Sequence, residues 1–94
     1  MNNNNIQYKK SIKSVPNHYC IYRETHDNNN DMLYYDIWTS NDPEWKPSLH
    51  AFDAFCEFSD YYDDSILISE IEVLNIINNH NNKNIDNISN QVAG

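Results

Sequence analysis

Ninety-four residues with a formal charge of −8 at pH 7 make one domain at most, and polar ends leave roughly 65 residues to build a core. A unit of that size buries only about 60% of its unfolded surface, which leaves little for a deep catalytic cleft. The single glycine is Gly94, so glycine-rich phosphate loops are excluded, and no run approaches the roughly 20 apolar residues of a membrane span.

In chain order, residues 1–16 are polar and carry Lys9, Lys10 and Lys13 before Pro16, which predicts a flexible basic arm with a short edge strand around Ile12 to Val15. No apolar run follows Lys9 and Lys10, so nothing there reads as a secretory signal and a cytosolic protein is expected. His18 to Thr25 and Met32 to Thr39 are rich in Tyr, Ile, Trp and Thr, and the polar stretch between them tolerates left-handed backbone. These features predict a β-hairpin with a long tip. Neither of its faces is cleanly polar, so something must cover the second one.

Ser40 to Pro43 is a turn, and the next segment, Ser48 to Asp64, fits a helix. Ala51, Phe55, Phe58 and Tyr62 fall in one arc of the helical wheel, and Asp53, Glu57, Asp60 and Asp64 fall in the opposite one. One continuous helix stacks those carboxylates into a ridge about 16 Å long. The rival is a strand, since Phe52, Ala54, Cys56 and Phe58 also alternate, but it sets Phe55 among acids. Ile66 to Ile68 reads as a short buried strand. Ser69 to Glu72 fits a capping box opening a helix at Glu70, with Ile71, Val73, Leu74, Ile76 and Ile77 as its apolar side. That helix is expected to stop at Asn78 and Asn79, leaving residues 80–94 as a disordered Asn-rich tail. The fold class is therefore α+β: a small antiparallel sheet built on the hairpin, packed by two helices laid over one face, with residues 17–79 as the domain.

His18, Cys20, His50 and Cys56 are zinc-ligand types, but they do not form the close pairs on turns that zinc sites use. Cys56 lies between Phe55 and Glu57, a poor setting for a thiolate, so Cys20 and Cys56 read as buried free thiols. No catalytic residue, metal or cofactor is expected, and a non-enzymatic binding protein follows. Its partner surface is assigned to the acids Asp53, Glu57, Asp60, Asp63 and Asp64, continued by Glu70 and Glu72, with the aromatics Tyr35, Trp38, Trp45 and Tyr61 beside them. An acidic ridge repels nucleic acid and attracts basic protein grooves, so nucleic-acid mimicry is available to it. A solvated face kept for solubility is the plain alternative. Another reading is a homodimeric assembly protein joined through the aromatic face of the hairpin.

Asn runs at Asn2 to Asn5, Asn28 to Asn30 and Asn78 to Asn82, the last broken by His80, point to AT-rich coding. In size, charge and that composition the chain resembles the small acidic phage proteins of the anti-CRISPR and anti-restriction type. The resemblance implies an inhibitor of a host defence nuclease and is carried by no single motif.

Overall fold

The expected hairpin is present. A computed structural model describes residues 5–13 and 19–93, beyond residue 82 as backbone alone. Strands β2 (Cys20–Asp27) and β3 (Met32–Thr39) pair antiparallel in one register from Cys20 opposite Thr39 to Asp27 opposite Met32. At the tip the Asp27 carboxylate accepts the Asn29 N–H at 3.0 Å and the Asn30 amide at 3.0 Å, and Asp31 takes a left-handed φ of 53°. His18 lies outside the described residues.

The segment expected to be a flexible arm differs: Asn5–Ser11 forms strand β1, paired with β2 on one side and with β5 (Ser65–Ile68) on the other. Its sequence already alternates, with Ile6 and Tyr8 on one face and Asn5, Gln7 and Lys9 on the other, which is the period of a strand. The short β4 (Lys46–Pro47) completes an antiparallel sheet of five strands in the order β4-β3-β2-β1-β5. Ile12 and Lys13 follow β1 without extending it, and the rest of the expected edge strand falls outside the described residues.

Helices α1 (Leu49–Ala54), α2 (Asp60–Asp63) and α3 (Glu70–Ala93) make the chain α+β, but they do not share a face. Residues opposite one another in a ladder point the same way, so Tyr8, Ile21, Trp38 and Ile68 lie on one side of the sheet. There α3 brings Val73, Ile76 and Ile77 onto Ile21 and Trp38. On the other side Tyr22, Tyr35 and Ile37 meet Ala51, Ala54 and Phe55 of the α1 region. The strands carry bulky apolar groups on both faces, so each face needs its own cover, and helices on one face alone leave the other wet.

Ser69 caps α3 as expected, its hydroxyl accepting the Glu72 N–H at 3.2 Å, while the Glu72 carboxylate, expected to reach back to the Ser69 N–H, pairs with Lys10. Of its apolar residues Val73 is buried, whereas Ile71 and Leu74 face outward. The backbone stays helical to Ala93, past the expected stop, because the Asn-rich stretch holds neither Gly nor Pro before Gly94. Among the described residues no helix is long and apolar enough to cross a membrane.

Candidate partner-binding surface

The segment expected to be one helix from Ser48 to Asp64 is helical at both ends and broken in the middle. Ser48 caps α1, its hydroxyl accepting the N–H groups of His50 and Ala51 at 3.1 and 3.3 Å. Ser59 caps α2 in the same way through the Tyr62 N–H at 3.1 Å, and its own hydroxyl donates back to the Asp53 carbonyl. Between them the N–H groups of Phe55, Cys56 and Ser59 bond three residues back, to Phe52, Asp53 and Cys56, the tightened pattern of a helix end.

The cause of the break lies under it. Lys9, only 4% exposed, donates to the Ala54 carbonyl at 2.6 Å and to the Tyr62 carbonyl at 3.3 Å. Its ammonium also sits 3.9 Å from the centre of the Tyr62 ring. Both carbonyls lie near helix C-termini, where a cation is favoured by the dipole and by the lack of intrahelical donors. In a continuous helix the Ala54 carbonyl would accept the Phe58 N–H, and the buried ammonium would lose its best acceptor. Desolvation pulls the Lys9 ammonium below its ordinary value, partly offset by the nearby Asp63 charge. Acids four residues apart, Asp53 with Glu57 and Asp60 with Asp64, further disfavour the unbroken helix.

The break disperses the expected ridge. Asp53 sits in α1, Glu57 in the elbow, Asp60 and Asp63 in α2, and Asp64 at its C-terminus, so they do not line one rod. Phe58, placed by the wheel in the apolar arc, is instead 100% exposed at the apex. The elbow thus presents an aromatic ring with Glu57 and Asp60 on either side of it in the chain, and Tyr61 exposed nearby with its ring 4.8 Å from His50.

Charge pairing concentrates the surplus there. Lys10 pairs with Glu72 at 2.7 Å, Lys13 with Asp64 at 2.8 Å, Arg23 with Asp36 at 3.1 Å and Lys46 with Asp42 at 2.7 Å. Bonding to Asp64 raises the Lys13 ammonium above its ordinary range. Among the described residues Glu24, Asp27, Asp53, Glu57, Asp60, Asp63 and Glu70 make no ion pair. Four of these seven belong to the elbow.

The aromatic half of the expected surface fares differently. Trp38 is 3% exposed in the α3-side core and is withdrawn from any partner. Its place opposite Ile21 in the ladder dictates this. Tyr35 is half-buried, donating its hydroxyl to Glu24 at 2.8 Å and stacking edge-on against Phe52 at 5.1 Å. Trp45 is half-buried under the Arg23 guanidinium, 4.2 Å away. Only Tyr61 stays on the surface, while Phe58, which the wheel had turned inward, joins it. No sequence signal marked Phe58, because its exposure depends on Lys9, distant in sequence. Cys20 and Cys56 are both free and half-buried, and burial pushes the Cys20 thiol up. No family model matches the chain, and no curated protein or solved structure proved similar to it.

Proposed function

We propose that the chain is a non-enzymatic binding protein of the cytosol that occupies a basic, nucleic-acid-handling site on another protein through the α1–α2 elbow. The observation that carries this reading is Phe58, fully exposed between Glu57 and Asp60 where acids lack ion pairs. Phe52, Tyr61 and Tyr62 are exposed in the same segment, and aromatics grouped among unpaired acids favour a contact over a solvated face. Proteins that hold single strands stack bases on aromatic or guanidinium planes and bind the flanking phosphates with Lys and Arg. A ring between two carboxylates offers the same combination, a π-face with negative charge on each side. The mimicry is thus of a splayed nucleotide and not of a duplex backbone, since the single acidic rod is absent. Inhibition of a defence nuclease is the biological role that fits such a surface, and the two free cysteines suit a reducing compartment.

The test is capture from a bacterial extract on the immobilised chain, with Phe58→Ser and the double variant Glu57→Lys, Asp60→Lys alongside. A specific partner is expected to bind the wild type, to be displaced by single-stranded DNA and by salt, and to be lost from both variants. A partner held equally by the charge-reversed chain contradicts the reading.

A further inference from the structure

The sheet ends on β5. The Ile12 N–H bonds to the Asp64 carbonyl at 2.8 Å, which fixes the hydrogen-bonding phase of the β1–β5 ladder. By two-residue alternation Ile66 and Ile68 turn their backbone groups to β1 and Leu67 turns its own outward, while Ser65, of the same phase, is buried at 7% exposed. No strand pairs with that side among the described residues. Leu67 is 67% exposed, and Ile66 beside it in the strand is exposed as well. Natural edges are normally blunted by charge, twist or cover, so a bare apolar one is a template for another chain.

Three features say what kind of chain fits. Outward N–H and C=O groups require an extended backbone. The apolar side chains on both faces, Ile66 on one and Leu67 on the other, require apolar neighbours. Asp63 precedes the strand and Glu70 follows it, and neither makes an ion pair among the described residues. At the Glu70 end β1 runs beyond β5, and the step forms a groove of about 570 Å³ lined by Ile6, Gln7, Tyr8, Leu67 and Ile68 with Glu70 at its rim. A second copy paired about a two-fold axis through this edge would bring Asp63 or Asp64 alongside the other copy's Glu70, which repels.

We infer that the β5 edge is a second docking site, which takes an extended segment of a partner protein with an apolar centre and a Lys or Arg at each end, added as a sixth strand. Main-chain bonds to Leu67 supply the attachment and the flanking acids set the charge preference.

The probe is the acetylated peptide Lys-Ser-Val-Val-Val-Ser-Lys, titrated into the isotope-labelled full chain and followed by amide shifts. Saturable shifts centred on Leu67 and slowed exchange of its amide are expected. N-methylation of the central valine, or Leu67→Pro, which removes an outward N–H together with the Leu side chain, should weaken binding at least about tenfold. Glu70→Lys should shift preference toward the peptide with Glu at its ends, a readout that survives if the proline variant fails to fold. No saturable shift below about 1 mM, or equal binding of the N-methylated peptide, overturns the proposal. So does a concentration-dependent dimer without peptide that Leu67→Lys abolishes, since a second copy would then be the occupant. Phe58→Ser should leave peptide binding unchanged, which separates this site from the elbow.

Discussion

The two faces of the sheet are closed by different physics. On one, a single long helix lays Val73, Ile76 and Ile77 on Ile21 and Trp38, and apolar burial carries the contact. On the other, α1 and α2 span six and four residues, too short to hold themselves. They are kept by Ser48, Ser59 and the Lys9 ammonium, which satisfy helix ends that would otherwise be bare, with Ala51 and Ala54 allowing close approach to Tyr22. The first arrangement is tolerant of surface change and the second depends on a few polar atoms. The second is also the one that projects Phe58 and the surplus acids outward.

Trp38→Ala breaks the long-helix face and should cost the most, about 3–5 kcal/mol in denaturant unfolding, through lost burial and a residual cavity. Lys9→Met attacks the other face. It leaves the Ala54 carbonyl without its donor, while the Tyr62 carbonyl keeps the Ser65 hydroxyl at 3.2 Å, and should cost about 1–3 kcal/mol, with amide exchange rising in α1 and α2 and not in Val73.

Alkaline unfolding sharpens the contrast. Burial, then the bond to Glu24, pushes the Tyr35 phenol up to about 12 from 10.0, and Tyr22 is pushed the same way by burial. A raised phenol contributes stability that is whole below pH 10.0 and lost as pH climbs through about 12. The lowered Lys9 has the opposite sign, since the folded chain gives up that proton before the unfolded one does, so stability gains until pH passes 10.5. Tyr35→Phe should flatten the alkaline loss, and Lys9→Met should remove the opposing gain, both read from urea midpoints against pH. The smallest effect on folding is expected at Phe58, whose ring touches nothing that its loss would expose. Phe58→Ser should leave the urea midpoint unchanged while abolishing partner capture.

The hairpin and the capped start of α3 were legible because local patterns alone determine them: β-rich runs around an Asn-rich tip, and Ser69 three residues before Glu72. Strand β1 was legible in its alternation but masked by polar composition, since Lys9 looks like a solvent residue until two helix ends need it. The helix break was not legible, because the wheel favours continuity and the reason to stop lies 45 residues away, in the bond from Lys9 to Ala54. For the same reason the acids were read as a surface, yet their arrangement as a rod was not correct. Trp38 and Phe58 exchanged places relative to expectation, one taken into the core by its ladder position and the other expelled by the elbow.

The elbow is tested most directly at one amide. In an unbroken helix the Phe58 N–H bonds to the Ala54 carbonyl and exchanges slowly with solvent, whereas here that carbonyl accepts Lys9. Hydrogen exchange measured by NMR should find the Phe58 amide exchanging at close to the unprotected rate while the Val73 amide is protected. A Phe58 amide as slow as that of Val73 would contradict the break, and with it the outward ring.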